Sequence, residues 1–490
     1  MPWKTILAIA TFAALTQAVP ALRSLKIFDP QAIATVWQMP VPKPPPEPAP
    51  ITLSNSVSRI KIVKGDASVA DATVEEANPK MVVDPTHQMD RFYASLLKGG
   101  VTRVLHYGDS PTTADLITAD ARAMLQHEFG DAGSGFILIA RPWAWYGHRG
   151  VEMSGSGWKI DVAGVPGSDL KDGMHGLGAA SFRGSAGAVA HWTLKDTKHS
   201  SVEIAYLTQP GGGSFTMEAD GAEIGSADTD SSGGDLSGTN GQQAPGGQRA
   251  PGFASFAIPV GSKDIKLHVT RGAVRLYGAD FRKAGPGVVY SSLGINGANI
   301  TLLSHAMNGP HWAEQLLHYD PNLVVIAFGT NESGFAPFVD GTWASELKAA
   351  VRRVQNAVPN ASILLMSPMD RGERQKNGEI GTIETMPRLV NLESKVAAES
   401  GVAFFNTFEA MGGEGTMAKW YNGEPRLVGA DFIHPMPAGA RIVGELLYNA
   451  LGDGYNEYKL RQLKERETGQ PDAADASPAD GHQGNETTKR

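Results

Sequence analysis

The stretch VTRVLHYGDS, residues 101–110, joins a short apolar run to a Gly-Asp-Ser sequence. An apolar run of this length that stops at a glycine is typical of a strand buried on both faces of a parallel sheet. Open α/β sheets have their active sites at the carboxyl ends of such strands, and Ser110 follows this one directly. Gly-Asp-Ser by itself also fits an ordinary strand-to-helix turn in which Asp109 or Ser110 caps the helix.

Four more runs of the same kind follow along the chain, at residues 288–293, 323–328, 363–366 and 402–405. Helical stretches separate or follow these runs, at residues 115–129, 299–318, 343–358, 386–400 and 438–451. A further helix is expected to begin at Asp84-Pro85 and to end before Gly99. Strands and helices in alternation predict an α/β fold with a doubly wound, flavodoxin-like parallel sheet.

The first two of these strands are separated by about 150 residues, far more than the crossover of a doubly wound sheet needs. Polar and apolar residues alternate in this interval, in segments at residues 158–162, 188–194, 202–207, 215–219, 253–258, 265–269 and 274–281. Such alternation is typical of antiparallel strands. It predicts a β-sandwich over residues 151–285, inserted into an α/β domain whose two parts are expected at residues 81–150 and 286–455.

Both ends of the chain differ from its body in composition. A lysine precedes an apolar stretch that ends in small residues, so residues 1–21 are expected to be a signal peptide or an N-terminal anchor. Residues 22–80 include the proline-rich run PVPKPPPEPAP and are expected to form a linker and a segment of undetermined structure. The polar residues 465–490 predict a disordered tail. Together they indicate export to the periplasm or the extracellular space, with inner-membrane attachment if the anchor is retained.

The composition excludes several classes of function. A formal net charge of -8 argues against a nucleic-acid binder, which would carry a basic excess. The chain has no cysteine, which excludes disulfides, a cysteine nucleophile and cysteine-ligated zinc. His305, His311 and His318 share one helical region, but no carboxylate pattern accompanies them. We therefore predict no metal site and no cofactor.

A carboxylate and an imidazole stand just before the final predicted helix, at Asp431 and His434. A serine nucleophile needs a base that removes its proton, and the base needs a carboxylate that fixes its tautomer and stabilises the imidazolium. Ser110, His434 and Asp431 supply these three groups. His434 is one of 13 histidines, and an ordinary surface or core role is the alternative.

Hydrogen-bond donors follow the ends of two further strands. The sequence GINGA ends the second strand and brings Gly297 with free backbone N–H groups to the edge of the sheet that carries Ser110. The sequence FGTN ends the third strand and brings the side-chain amide of Asn331. Donors of these kinds stabilise the oxyanion that develops during acyl transfer. Gly297 also fits the start of a helix, and Asn331 also fits a turn.

Serine, glycine, asparagine and Asp-x-x-His in this order resemble the four blocks of the SGNH/GDSL hydrolase superfamily. The resemblance covers residues 84–140 and 287–451, and it implies the SGNH hydrolase fold. It also implies that Ser110 is the nucleophile and that His434 is the base, oriented by Asp431. The residues that it assigns to the oxyanion hole are Ser110, Gly297 and Asn331. No G-x-S-x-G elbow, H-E-x-x-H or P-loop competes with this interpretation.

A narrower resemblance rests on FGDAGSGF at 129–136, MGGEGTM at 411–417 and the β-rich insertion. These features are similar to those of periplasmic peptidoglycan O-acetylesterases, whose insertion resembles a carbohydrate-binding module. The chain departs from them at Pro111, where those enzymes usually carry histidine. The resemblance implies a serine esterase that removes acetyl or other short acyl groups from an extracytoplasmic polysaccharide, with peptidoglycan favoured.

Aromatic residues just before the insertion are candidates for contact with sugar rings. Trp143, Trp145 and Tyr146 are amphipathic aromatics of the kind that stack on pyranose faces, and we expect them to bind substrate. Packing between the two domains is the alternative. The charged residues Arg371, Glu373 and Arg374 after the fourth strand are interpreted as a solvated loop, with lining of the cleft as the alternative.

Three classes of function remain open at this point. The first is a hydrolase that acts on an acylated polysaccharide or a small ester. The second is a polysaccharide O-acyltransferase with the same triad, in which a sugar hydroxyl replaces water. The third is an inactive glycan-binding protein that retains the SGNH fold. The sequence identifies no protein partner for any of them.

Overall fold

The computed structural model describes residues 81–165, 168–232 and 247–468. The expected signal peptide or anchor, the proline-rich linker and most of the expected disordered tail lie outside the described residues. Within the described residues, no helix combines the length and the apolar character that crossing a membrane requires.

The strands of the described residues are numbered along the chain. They are β1 (Val82–Val83), β2 (Val101–Gly108), β3 (Gly133–Leu138), β4 (Val151–Ser156), β5 (Lys159–Val162), β6 (Ala180–Ser185), β7 (Val189–Leu194), β8 (His199–Thr208), β9 (Ser214–Ala219), β10 (Ala222–Asp228), β11 (Ala250–Ala257), β12 (Asp264–Arg271), β13 (Ala273–Lys283), β14 (Gly287–Gly294), β15 (Leu323–Ala327), β16 (Ser362–Met366), β17 (Gly372–Arg374), β18 (Ile380–Thr382) and β19 (Ala403–Phe405).

The helices are numbered in the same way. They are α1 (Asp90–Lys98), α2 (Ser110–Thr113), α3 (Ile117–Phe129), α4 (Gly309–Tyr319), α5 (Ala336–Gly341), α6 (Trp343–Ala357), α7 (Thr385–Ser400), α8 (Thr407–Ala410), α9 (Thr416–Asn422) and α10 (Pro437–Thr468). A π-helical turn at Leu302–Ala306 precedes α4, and a 3-10 turn at Glu332–Gly334 follows β15.

Six strands form the central sheet, in the order β1-β19-β16-β15-β2-β14. All neighbours are parallel except β1, which pairs antiparallel with β19. The five strands predicted from apolar runs are β2, β14, β15, β16 and β19. Strand β2, the first of these five along the chain, lies between β14 and β15. This is the flavodoxin-like strand order. The predicted doubly wound parallel sheet is therefore confirmed.

The central strands are buried on both faces, as their continuous apolar sequences predict. In β15, Val324 and Ile326 belong to one hydrophobic cluster, whereas Leu323 and Val325 belong to the other. Successive side chains of a strand point to opposite faces, so the two clusters lie on opposite sides of the sheet. Helices α4, α6 and α7 contribute to the first cluster, and α1, α3 and α10 contribute to the second.

The region between β2 and β14 contains two antiparallel sheets, and the predicted inserted β fold is confirmed. One sheet has the order β10-β9-β12-β7-β4 and the other has the order β11-β8-β13-β6-β5. Strand β3 pairs with β13, so the second sheet begins before residue 151, which is the start predicted from the sequence. The sequences GSGFIL of β3 and ASFRGS of β6 are rich in small residues and give no alternating signal, so neither strand was predicted.

The insertion packs closely on helix α4. Phe136 of β3 lies edge-on to Tyr319, with ring centroids 5.8 Å apart. The ring of Phe253 stacks on the imidazole of His318 at 3.5 Å, and His318 Nε2 lies 2.8 Å from a carboxylate oxygen of Glu203. The hydrophobic cluster on this face of the central sheet therefore continues into the sandwich without interruption.

Two helix boundaries differ from those predicted. The first helix begins at Asp90 rather than at Asp84-Pro85, because the Asp84 carboxylate accepts hydrogen bonds from the N–H groups of Gln88 and Met89 and holds a turn there. The last helix continues to Thr468, so the start of the expected disordered tail is helical.

The predicted helix over residues 299–318 is interrupted. The π-helical turn ends before Asn308, whose side chain accepts a hydrogen bond from His311 N and starts α4 afresh. The Arg353 guanidinium donates to the carbonyl groups of Leu303 and Met307, each at 2.6 Å. In a continuous helix these carbonyl groups would instead accept hydrogen bonds from backbone N–H groups of the same helix.

Candidate active site

The ends of three central strands lie level at one edge of the sheet. Gly108 of β2 is in register with Gly294 of β14 and with Ala327 of β15. The chain passes very close to itself here, since a Cβ atom on Gly108 would lie 2.2 Å from Thr112 Oγ1. The loops that carry Ser110, the Gly297 segment and the Asn331 segment therefore leave the sheet side by side.

Ser110, His434 and Asp431 form a hydrogen-bonded series at this edge. His434 Nε2 lies 2.8 Å from Ser110 Oγ, and His434 Nδ1 lies 2.7 Å from Asp431 Oδ2. Burial raises the pKa of the Asp431 carboxyl, but hydrogen bonds from His434 and Ile433 outweigh it and hold the pKa below its usual value. Asp431 is therefore an anion that fixes the imidazole with Nε2 toward the serine.

The Asp431–His434 loop is a tight turn with a strained residue. The second carboxylate oxygen of Asp431 accepts hydrogen bonds from the N–H groups of Ile433 and His434. Phe432 has a φ of 59°, which non-glycine residues rarely adopt, and its ring packs edge-on to Tyr421 at 4.7 Å. The buried ring and the two turn hydrogen bonds together hold the imidazole in place.

Hydrogen-bond donors without internal partners lie beside the serine. Within the part of the chain that the structure describes, the backbone N–H groups of Ser110 and Gly297 make no hydrogen bond. Gly297 has a φ of 72°, a conformation that glycine adopts without strain. Asn331 Nδ2 donates one hydrogen to Ala298 O at 2.7 Å, which leaves its second hydrogen free. This donor set suits a developing oxyanion.

The chain is similar to several known proteins. Residues 255–442 match the model of the GDSL-like Lipase/Acylhydrolase family. A solved peptidoglycan O-acetylesterase is 20% identical with a TM-score of 0.62, covering 77% of this chain and 99% of that one. A Bacillus subtilis protein is 12% identical with a TM-score of 0.29, covering 60% and 88%. An acetyl xylan esterase is 19% identical with a TM-score of 0.26, covering 33% and 80%. No curated protein matches the chain significantly.

The family match over residues 255–442 and the fold shared with the O-acetylesterase support hydrolysis of ester bonds. This chain is an ester-bond hydrolase whose residues 255–442 are similar to GDSL-like acylhydrolases. The matched residues include Gly297, Asn331, Asp431 and His434, whereas Ser110 precedes them because the inserted sandwich separates it from the rest of the domain.

The hydrolase buries a group of carboxyl side chains beneath the donor loops. Asp109 accepts a hydrogen bond from Thr330 N at 3.1 Å, and burial raises its pKa to about 7 against the lowering effect of Thr330. Glu332 accepts from Ile300 N at 2.6 Å, and burial, followed by the nearby Asp109, raises its pKa to about 8. Burial also raises the pKa of Glu393 well above its usual value. Burial therefore favours the neutral form of these carboxyls, which limits negative charge close to the oxyanion position.

The three aromatic residues predicted to bind substrate have different surroundings. Tyr146 is buried and its hydroxyl accepts a hydrogen bond from Leu138 N, so the prediction of substrate contact is wrong for this residue. Trp143 is partly buried and packs edge-on to Tyr146 against the core. Trp145 is 66% exposed. Packing of this loop, rather than binding, accounts for two of the three aromatics.

Three site residues of the hydrolase were not identified from the sequence. Asp109 was considered only as a cap, Glu332 was not considered, and Arg371 was interpreted as part of a solvated loop. Arg371 instead donates to Thr330 O at 2.6 Å and to Ser333 Oγ at 3.2 Å. For Asp109 and Glu332 an available signal was their position beside Ser110 and Asn331, whereas Arg371 gave no such signal.

The edge of the sheet that carries Ser110 is open to solvent. The side chains of His434 and Asp431 are 46% and 49% exposed. Ser110 is partly exposed, whereas Asp109 next to it is buried. The reactive groups therefore lie at the surface, with the buried carboxyls behind them.

Proposed function

We propose that this hydrolase is a serine esterase that removes acetyl or other short acyl groups from an extracytoplasmic polysaccharide, with peptidoglycan as the favoured polymer. The observation that carries the proposal is the series from Ser110 Oγ through His434 to Asp431, with distances of 2.8 and 2.7 Å. It stands beside unpaired donors at an exposed edge of the sheet.

The geometry supports a two-step acyl transfer. As Ser110 Oγ attacks the ester carbonyl carbon, His434 Nε2 accepts its proton and Asp431 stabilises the imidazolium. Backbone N–H groups of Ser110 and Gly297 and the Asn331 amide stabilise the oxyanion. His434 then donates the proton to the departing sugar oxygen, which leaves an acyl-Ser110. Water, deprotonated by His434, attacks this ester, and the carboxylic acid leaves as the proton returns to Ser110.

The openness of the site supports a bulky substrate. A triad that is nearly half exposed gives a polymer chain direct access to the serine. The similar solved structure with the TM-score of 0.62 is a peptidoglycan O-acetylesterase, which supports an acetylated glycan as the substrate here.

The inserted sandwich is proposed to bind glycan. A cleft of about 750 Å³ lies on it and is lined by Lys159, Arg183, Arg249 and Arg275, whose charges pair with Asp161, Asp169 and Asp172. Such paired charged side chains offer both hydrogen-bond donors and acceptors, which suit the hydroxyl groups of a polysaccharide. Binding at this cleft would raise the local concentration of polymeric substrate at the catalytic edge.

Export is part of the proposal and rests on the N-terminal sequence. Residues 1–21 have the charged and apolar pattern of a signal peptide or an anchor, and the proline-rich run follows them. A periplasmic or extracellular enzyme, attached to the inner membrane if the segment is retained, would meet the proposed polymer.

The polysaccharide O-acyltransferase is the second candidate and uses the same acyl-Ser110. Its chemistry requires that a sugar hydroxyl outcompete water for the acyl group. The exposure of His434 leaves the deacylation step open to water, which favours hydrolysis.

One set of assays tests the proposal. The purified protein is incubated with chromogenic acetyl, butyryl and octanoyl esters, with and without a soluble glycan acceptor, and with O-acetylated peptidoglycan. We expect release of acetate from the polymer, a preference for the acetyl ester, and no acylated acceptor. Acyl transfer to the acceptor in excess of free acid would support the transferase instead. No turnover of any ester, with Ser110 unlabelled by a fluorophosphonate, would refute the esterase.

A further inference from the structure

The loop that carries Asn331 is held by the Arg371 side chain. Arg371 Nη1 donates to Thr330 O at 2.6 Å and to Ser333 Oγ at 3.2 Å, so it contacts the chain on both sides of Asn331. Ser333 Oγ also donates to Thr330 O at 2.7 Å. Hydrogen bonds from an ionised donor are roughly twice as strong as neutral ones, so this contact is a strong restraint on the loop.

Thr330 is restrained from the opposite side by the segment that carries the nucleophile. Its backbone N–H donates to Asp109 Oδ2 at 3.1 Å, and Asp109 directly precedes Ser110. The residue before Asn331 therefore has its N–H held by the serine segment and its carbonyl held by Arg371.

The backbone of Arg371 is itself fixed, which makes its side chain a rigid support. Gly372 N donates to Phe432 O at 2.9 Å, within the Asp431–His434 turn. The neighbouring Asp370 is buried and accepts hydrogen bonds from Thr382 Oγ1 and Met417 N, each at 2.8 Å. A continuous series of hydrogen bonds thus connects the serine segment, the Asn331 loop and the histidine turn through Arg371.

We propose that Arg371 is a positioning residue that fixes the Asn331 amide as an oxyanion donor and aligns it with the Ser110 and His434 segments. This inference rests on the esterase function proposed above. Arg371 acts through Asn331 and has no contact with the reacting atoms. Loss of its hydrogen bonds frees the loop, and a displaced donor loses transition-state stabilisation more than substrate binding.

A double-mutant cycle on the full chain tests this role, with kcat and KM measured on the chromogenic acetyl ester. We expect Arg371→Ala to lower kcat about 10- to 100-fold, with KM changed less than about 3-fold. In the Asn331→Ala background the same substitution should cost less than about 3-fold, because the group that it positions is absent. Arg371→Lys should recover part of the loss. Arg388→Ala removes a surface guanidinium paired with Glu384 and Asp340, and it serves as the matched control.

Hydrogen–deuterium exchange gives a readout that does not depend on turnover. Arg371→Ala should speed exchange in the peptide that spans residues 329–335, where Ser333 N donates to Gly329 O and Phe335 N donates to Glu332 O. Arg388→Ala should leave this peptide unchanged. If Arg371→Ala does not fold, the cycle and the exchange measurement are carried out with Arg371→Met, which keeps the apolar stem of the side chain and removes the donor.

Four outcomes would overturn the inference. They are an unchanged kcat in Arg371→Ala, equal losses in the wild-type and Asn331→Ala backgrounds, a rise in KM alone, and unchanged exchange in residues 329–335. A rise in KM alone would mean that the guanidinium binds substrate directly. If the wild-type protein turned over no ester, the proposed function would fail, whereas the exchange measurement would still decide whether Arg371 holds the loop.

Discussion

Ser110 and His434 are 324 residues apart in the chain, yet their reactive atoms lie 2.8 Å apart. Such a contact is costly to maintain at an exposed surface unless both loops are held from behind. The buried Asp109 carboxyl holds one side, and the buried ring of Phe432 holds the other. The contact between Ser110 and His434 therefore depends on neighbouring groups that take no part in the proposed reaction.

Removal of the nucleophile should abolish turnover while preserving the fold. In Ser110→Ala only substrate binding and the oxyanion donors remain, so kcat on the acetyl ester should fall at least ~10³-fold. Circular dichroism and the denaturation midpoint should match those of the wild type. Near-normal kcat in this variant would remove Ser110 from the mechanism.

The charge of Asp431 should matter more than its shape. In Asp431→Asn the amide oxygen can still accept from Ile433 and His434, but the amide nitrogen would then face His434 Nδ1 and favour the wrong tautomer. We expect kcat to fall roughly 10³- to 10⁴-fold with the turn intact. A loss below about 10-fold, measured on the same ester, would show that Asp431 does not orient the base.

Glu332 should make stability depend on pH. Its pKa rises from 4.5 in the unfolded chain to about 8 in the folded protein. Between these values the folded state keeps a proton that the unfolded state has lost, so stability falls as pH rises, by at most about 1.4 kcal/mol per unit. Glu332→Gln cannot lose this proton and its oxygen can still accept from Ile300 N.

Urea denaturation at pH 5, 6.5 and 8 tests this effect. The free energy of unfolding of Glu332→Gln, relative to the wild type, should rise steadily with pH. Glu384→Gln, at a side chain that is 89% exposed, is the matched control, and its relative stability should not show this trend. A constant difference between Glu332→Gln and the wild type at all three pH values would mean that Glu332 is ionised in the folded protein.

The sequence indicated the reacting groups better than their supports. Ser110, Asn331, Asp431 and His434 were identified as candidates because a triad and its donors need those chemical types in a recognisable order. Asp109, Glu332 and Arg371 were not, because their partners are backbone groups of distant segments. A hydrogen bond from Thr330 N to Asp109 exists only after β2 and β15 have paired, and no local pattern encodes it.

At the scale of elements, the central strands were predictable because burial on both faces demands continuous apolar residues. Strands β3 and β6 were missed because close packing requires small residues in them. A Cβ atom on Gly133 of β3 would lie 2.3 Å from Phe281 O, and one on Gly184 of β6 would lie 2.6 Å from the Trp158 ring. The break before α4 was missed because Arg353, on another helix, binds the carbonyl groups that mark it.

The β2-to-α2 junction should tolerate no side chain at Gly108. An added Cβ would lie 2.2 Å from Thr112 Oγ1 and 3.1 Å from Ala327 O, so the turn that presents Ser110 must move. Gly108→Ala should therefore cost about 1–3 kcal/mol of stability and also lower kcat. Gly100→Ala, where a Cβ atom meets nothing within 4 Å, should leave kcat unchanged. Equal activity of both variants would show that the junction is not closely packed.

At the scale of the whole molecule, the insertion is not a separable module. Its strand β13 pairs with β3, which comes before residue 151, and His318 of the α/β domain stacks on Phe253 of the sandwich. One hydrophobic cluster extends through both regions. Glycan binding and catalysis are therefore proposed for parts of one cooperative structure.

Excision of the insertion should consequently destroy the fold. Replacing residues 151–285 by a short Gly/Ser connection would leave β3 without β13 and would expose the apolar face of α4, and exposed apolar surface of this kind favours aggregation. We expect insoluble protein, whereas the full chain carrying Ser110→Ala should be soluble under the same expression conditions. A soluble excised variant that unfolds cooperatively and hydrolyses the small ester within about 3-fold of wild type would contradict this. The α/β domain would then be stable alone, and the continuous cluster would be a contact between independent units rather than a shared core.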